Sequence, residues 1–182
     1  MAYNNLPNKP SVTMLAKKLA ALLTQKAQTL AVAESCTGGL LGGAITTIAG
    51  SSTYFKGGVI SYGNDVKRRV LGVPRQVLDK SGAVSAQAVK SMARGVKEVC
   101  DADCAIAISG IAGPGGGSAK KPVGLVFVGI CVGKDVRSYR YVFRGNRQEI
   151  RRQAVRAALQ KMITATPSSY TQSIHNIHVS RR

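Results

Sequence analysis

The chain has 182 residues, 45% hydrophobic but only 5% aromatic, and a formal charge of +18. That length supports one domain whose core needs neither disulfide nor metal, and the aliphatic, glycine-rich composition points away from an aromatic-centred sandwich. No apolar run approaches the roughly 18 residues of a membrane span. The first residues also lack the basic-then-apolar order of a secretory signal. A soluble, cytoplasmic protein with no membrane role is expected.

In chain order, residues 1–10 are polar and punctuated by proline, and are expected to be flexible. A helix is predicted from Ser11, with Val12, Leu15, Ala16, Leu19, Leu22, Leu23 and Ala27 on one face. A short buried strand over 30–33 leads into Glu34-Ser35-Cys36-Thr37-Gly38-Gly39 and then a helix over 40–48. Residues 49–56 read as a loop whose sharp point is Gly50-Ser51-Ser52. A strand over 57–62 and a short helix over 64–71 follow, the latter stopped by Gly72 and Pro74. After a break at 81–83, Ser85 caps a helix over 86–100 with Val89, Met92, Ala93, Val96 and Val99 inward.

The wholly apolar segment 104–108 reads as a strand buried on both faces. It runs into a second glycine-rich loop, 109–117. Strands over 123–132 and 136–143 pair through a turn at Gly133-Lys134-Asp135. Asn146 or Gly145 starts the last helix, which carries Ile150, Ala154, Val155, Ala158, Leu159 and Met162 inward and ends at Pro167. The polar segment 168–182 shows no periodicity and is expected to be a disordered tail. The outcome is a single three-layer α/β/α domain over 11–166 with a mixed sheet. Both glycine-rich loops follow strands, so 34–39 and 109–117 are placed at one crevice.

The charge favours an anionic partner such as nucleic acid or a phosphorylated small molecule. Its carriers are scattered, from Lys17 and Lys18 through Lys67, Arg68 and Arg69 to Lys120, Lys121 and the 137–156 region. Few aromatics exist for base stacking, so a nucleic-acid partner is not expected. The cysteines Cys36, Cys100, Cys104 and Cys131 match no zinc spacing, and the only histidines, His175 and His178, lie near the end of the chain. No metal and no cofactor is expected. Cys100 and Cys104 read as small buried thiols.

The turn at 34–39 has two readings. Glu34 to Thr37 can cap the following helix, with Gly38 and Gly39 relaxing the turn. Alternatively, Ser35, Cys36 and Thr37 put nucleophiles and hydroxyl donors beside backbone N–H groups able to hold an oxyanion. Other motifs tilt the balance. Ala33-Glu34-Ser35-Cys36-Thr37-Gly38-Gly39, Tyr62-Gly63-Asn64-Asp65-Val66-Lys67, Ser109-Gly110-Ile111-Ala112-Gly113-Pro114, Lys121-Pro122-Val123-Gly124 and Phe143-Arg144-Gly145-Asn146-Arg147 occur in that order. Together, over about residues 11–165, they resemble the CinA C-terminal domain family, the nicotinamide mononucleotide deamidases. The chain departs from the family pattern at Gly63, usually Ser, and at Asn146, usually Asp; Ser109 is Thr in many members. It resembles the stand-alone form, without the family's larger N-terminal domain.

The resemblance implies hydrolysis of nicotinamide mononucleotide to nicotinic acid mononucleotide and ammonia, and a homo-oligomer is expected. Ser35 ranks first as nucleophile, with Ser52 and Ser109 in a shared hydroxyl network. No histidine lies in the domain, so Lys67 is the best base, given desolvation or the positive charge of Arg68 and Arg69. Tyr62 can orient Lys67 or donate to the leaving ammonia. Gly113, Gly115 and Gly116 allow backbone to approach a phosphate, and Arg147 can clamp phosphate or carboxamide. Glu34, Thr37, Gly38 and Gly39 complete the substrate contacts, Glu34 pairing with Lys67 or a ribose hydroxyl. A non-catalytic nucleotide-binding module of the same fold is the alternative.

Overall fold

The computed structural model describes residues 10–166; the expectations for 1–9 and 167–182 lie outside the described residues. Helix α1 (Val12–Gln25) starts where Ser11 Oγ accepts the Met14 N–H, and buries Leu15, Ala16, Leu19, Ala20 and Leu23. Strand β1 (Leu30–Glu34) is buried throughout, and α2 (Leu40–Thr46) follows the turn. A 3-10 turn (Ser51–Thr53) precedes β2 (Phe55–Ile60), then α3 (Asn64–Leu71) and α4 (Arg75–Ser81). Ser85 caps α5 (Ala86–Val99), and Asn146 caps α6 (Arg147–Ala165) in a reciprocal capping box with Glu149. Between them lie β3 (Cys104–Gly110), β4 (Leu125–Val132) and β5 (Asp135–Val142).

The strands form one sheet in the order β2-β1-β3-β4-β5. β1 runs parallel to β2 and β3, whereas β3–β4 and β4–β5 are antiparallel, so the sheet is mixed. Side chains alternate across it. Leu30, Val32, Cys104, Ile106, Ile108, Val126, Val128 and Ile130 pack with α1, α2 and α6. Ala31, Ala33, Ala105, Ala107 and Cys131 pack on the opposite face with α5 and the end of α3. The two faces differ in side-chain size, and that difference sets the layer spacing. Alanines on the second face let α5 settle close, and at Gly129 a Cβ would overlap the Val89 carbonyl of α5.

Three expectations change. Residues 75–81, to which the sequence reading assigns no element, form α4, because Pro74 serves as the residue before a helix as well as a stop, and Val77 and Leu78 pack on the α5 side. Val99, expected inward, is 55% exposed, because α5 ends there and the chain turns away through Asp101 at φ 46°. Cys104 is buried as expected, but Cys100 is only half-buried.

Gly95 holds α3 against α5: a Cβ there would overlap the Leu71 backbone carbonyl. Helix propensity alone favours Ala over Gly by about 1 kcal/mol. Gly95→Ala is nonetheless expected to lower stability by about 1–3 kcal/mol, because backbone rather than a side-chain tip must move. Gly43→Ala, with nothing near the added methyl, is expected to be neutral or stabilising. Urea unfolding of the two variants checks the contrast.

Candidate active site

The strand period of two decides what the motif at 34–39 does. Glu34, the last residue of β1, points to the α2 side. There its Oε2 accepts the Gly39 and Leu41 N–H groups at 3.0 and 3.1 Å, and its Oε1 accepts the Gly42 N–H at 2.8 Å. Its carboxylate fills the start of α2 and is not turned towards Lys67; the capping reading describes it. Ser35 comes next and falls on the opposite face, where its N–H donates to Ile108 O at 3.0 Å.

Lys67 rises from the first turns of α3 to meet Ser35. Its side chain is among the largest fully buried ones, at 1% exposure. Nζ lies 2.7 Å from Ser61 O, 3.1 Å from Tyr62 O and 3.2 Å from Ser35 Oγ. Among the described residues Lys67 forms no salt bridge. Burial lowers its pKa below the ordinary 10.5, only partly opposed by Cys36 and Asp65. A neutral amine suits these partners: two N–H bonds go to the two carbonyls, and the lone pair is left for the Ser35 hydroxyl proton. Burial, not Arg68 or Arg69, supplies the shift. Arg69 is paired with Asp65 at the surface.

The backbone around Ser35 leaves two donors over. Gly38 and Leu40 N–H groups bond within the turn, and Glu34 takes those of Gly39, Leu41 and Gly42. Among the described residues the Cys36 and Thr37 N–H groups have no backbone acceptor, and that of Cys36 faces its own thiol. Those two follow the serine directly, the arrangement an oxyanion hole requires. The Cys36 thiol itself is pushed up to about 11, chiefly by burial, so it stays protonated and unreactive near neutral pH.

The remaining expected residues separate. Tyr62 touches Lys67 through its carbonyl; the residue is 61% exposed, and its phenol oxygen accepts from Arg147 Nη2 at 3.2 Å. Arg147 Nη1 donates to Gly113 O at 2.8 Å, tying the glycine loop to the start of α6. Ser109 is buried on the same face as Ser35, but its hydroxyl donates to Ala83 O at 2.8 Å. Ser52 is placed elsewhere. It precedes β2, whose neighbour Tyr54 accepts from the Leu30 N–H at the start of β1, whereas the site sits where Ser61 N–H meets Glu34 O at its end. Gly38 (φ 56°) and Gly39 (φ 96°) supply left-handed turn positions, and Arg151 Nη2 lies against Gly38 while donating to Thr37 O. Gly113 (φ 77°) and Gly116 (φ 81°) do likewise in the second loop, where Gly115 is open. Sequence reasoning missed Ser61, whose carbonyl holds Lys67, and gave Arg151 no role; Ser61 carries no signal beyond ending a strand.

An apolar cleft of about 520 Å3 lies on the other side of the sheet, lined by Val12, Leu40, Ala44, Val155 and neighbours. It contains no group of the Ser35–Lys67 pair. Among the described residues no cluster of three or more His, Cys, Asp or Glu could hold a metal ion, and no helix is long and apolar enough to cross a membrane.

The family described as CinA C-terminal domain matches residues 12–166. The chain belongs to that family. It is 47% identical over 145 residues to a CinA-like protein of Endomicrobium trichonymphae, covering 80% of this chain and 34% of that one. With a CinA-like protein of Geobacter metallireducens it shares 49% over 133 residues, 73% of this chain and 32% of the relative. The chain thus spans about a third of the curated relatives it matches. Solved structures agree along nearly their whole length. A CinA superfamily protein from Enterobacter cloacae superposes at TM-score 0.85 with 34% identity, covering 92% and 99% of the two chains. The competence/damage inducible protein CihA from Agrobacterium tumefaciens gives 0.84 and 40%, covering 91% and 100%. The α/β fold is that of the CinA superfamily.

Two outcomes are expected here. Glu34→Ala removes the acceptor of three N–H groups, so stability should fall by about 1–3 kcal/mol in urea unfolding. Lys67 binds its proton more weakly folded than unfolded. Wild-type stability relative to Lys67→Met should therefore rise with pH between the lowered folded pKa and the ordinary 10.5. A flat difference across that window would mean that Lys67 is not shifted.

Proposed function

We propose that the protein is an amidohydrolase that converts nicotinamide mononucleotide to nicotinic acid mononucleotide and ammonia, with Ser35 as nucleophile and Lys67 as base. The observation that carries this reading is the buried Lys67 Nζ, 3.2 Å from Ser35 Oγ and otherwise surrounded by two carbonyls. The carboxamide and nucleotide identity of the substrate rests on the resemblance of the motifs, and a homo-oligomer is part of the same reading.

Ser35 Oγ attacks the carboxamide carbon while its proton passes to Lys67 Nζ. The carbonyl electrons move to oxygen, held by the Cys36 and Thr37 N–H groups. Lys67 returns the proton to the amide nitrogen, the C–N bond breaks, and ammonia leaves a seryl ester. Water then attacks that ester, giving its proton to Lys67. Collapse of the second tetrahedral adduct frees the pyridine carboxylate and restores the Ser35 hydroxyl with that proton. Tyr62 and Arg147 border the site as substrate contacts, with Gly113, Gly115 and Gly116 at its rim. Ser109 buttresses the 81–85 loop instead of sharing the proton.

Ammonia release from nicotinamide mononucleotide tests the reading directly. The rate should rise with pH through the lowered Lys67 pKa and then level off. Lys67→Met and Ser35→Ala should each cost roughly a hundredfold or more, with the double variant little worse. Lys67→Arg should not rescue, because a guanidinium keeps its proton in this range. An active Lys67→Met enzyme with an unchanged pH profile would refute the role given to Lys67. Ligand binding without ammonia release would favour the binding module.

A further inference from the structure

The apolar cleft between α1, α2 and α6 lies on the face of the sheet away from Lys67, and the proposed hydrolysis makes no use of it. Its volume of about 520 Å3 falls within the roughly 300–1,000 Å3 of small-ligand pockets. The walls are aliphatic: Val12 from α1, Leu40 and Ala44 from α2, and Val155 from α6. Leu40 stays 40% exposed. A glycine keeps the cleft open. At Gly43, inside α2, an added Cβ would meet nothing within 4 Å. Glycine is the poorest helix former after proline, so α2 forgoes helix propensity at a position where a larger side chain would fit.

The rim carries charge of one sign. Arg152 and Arg156 line the cleft, four residues apart and so on one face of α6. Other polar side chains of this part of the helix are engaged: Arg147 with Gly113 O, Arg151 with Thr37 O, Gln153 with Arg144 O, and Glu149 with the Asn146 N–H. Ion pairs among the described residues involve Arg69, Arg75 and Arg137, so neither rim arginine has a carboxylate partner there. Among the described residues lining the cleft none is acidic and none is aromatic. A guanidinium fork takes a carboxylate in two parallel hydrogen bonds. A flat ring gains no stacking from these walls, whereas an alkyl chain buries its surface against valine, leucine and alanine. A second copy of this chain would bring its own +18 charge towards two arginines, so charge disfavours it as the occupant.

We propose that this cleft binds a medium-chain fatty acid, its alkyl chain on the aliphatic walls and its carboxylate between Arg152 and Arg156. The site stands on the geometry and does not need the amidohydrolase reading.

Calorimetric titration of the full chain with decanoate, below micelle formation and at fixed ionic strength, tests it. The wild type should bind one decanoate per chain. Acetate, which lacks the chain, and 1-decanol, which lacks the carboxylate, should each bind about tenfold or more weakly. Gly43→Leu should abolish binding while the melting temperature is kept or raised, because leucine enters open space on a helix. Arg156→Met should weaken decanoate by about 10- to 100-fold, the scale of a charged hydrogen bond. Arg94→Met removes the same charge from α5, on the other face of the sheet, and should change nothing. Equal losses in the two arginine variants would show that net charge, not a site, attracts the anion, and would overturn the proposal. Unaltered binding in Gly43→Leu would place decanoate elsewhere and overturn it too. If that variant fails to fold, Leu40→Ser decides: it strips one apolar wall, so binding should weaken several-fold, and unchanged binding sinks the idea. Two further results would give the cleft to another occupant. One is no decanoate binding by a chain that sediments as a dimer which Gly43→Leu splits, the mark of a second copy. The other is retention on anionic phospholipid vesicles without decanoate binding, the mark of a membrane. Either overturns the proposal.

Discussion

The alternation of β1 is the constraint on which the site depends. Consecutive side chains of a strand leave opposite faces of the sheet, so Glu34 and Ser35 must serve different layers. Glu34 goes to the α2 side and satisfies three N–H groups of the turn and helix that follow. That fixes the turn on which Cys36 and Thr37 follow the serine. Ser35 goes to the α3 side, where Lys67 waits. One register thus supplies a rigid turn and an aimed hydroxyl. A slip of one residue would exchange the two side chains and put a carboxylate against the lysine amine.

Side-chain size on the two faces of the sheet continues the argument. Large aliphatic residues separate the sheet from α1, α2 and α6, while alanine and glycine let α5 approach the other side. α5 in turn holds α3 through the contact at Gly95 and Leu71. Lys67 belongs to α3, so its Nζ is carried into the sheet edge by a chain of close backbone approaches. Its burial, more than any neighbouring charge, is what lowers the pKa of its amine.

Much of this was legible in the sequence, for identifiable reasons. Apolar period and cap residues set α1, α5 and α6, and Ser11, Ser85 and Asn146 cap as their chemistry predicts. The β4–β5 hairpin followed from alternation around Gly133. α4 was missed because Pro74 marks both the end of one helix and the start of another. Ser35 and Lys67 could be named through the motifs, but Glu34 could not be assigned, since a carboxylate before a helix serves equally as cap or ligand until the strand face is known. Ser52 looked like a site hydroxyl because loop serines have no sequence mark of which sheet edge they occupy. Ser61 contributes a carbonyl, a group every residue possesses, so residue type could not reveal it.

The absence of histidine from 10–166 has a consequence for the shape of the site. Imidazole can act as a base while partly solvated, because its ordinary pKa is near neutrality. A lysine amine must be desolvated to reach the same range, and water admitted to Nζ would restore its proton affinity. Lys67 is accordingly almost wholly shut off from solvent beside Ser35. The apolar cleft between α1, α2 and α6 lies instead on the far side of the sheet, where its volume does not wet the amine. The same reasoning bears on the arginines. A cation placed against Lys67 would lower its pKa further but would also compete for the two carbonyls that orient its lone pair. Arg147 and Arg151 instead bind the Tyr62 phenol, Gly113 O and Thr37 O, at the rim of the turn. The two guanidinium charges are thus kept apart from the Lys67 amine.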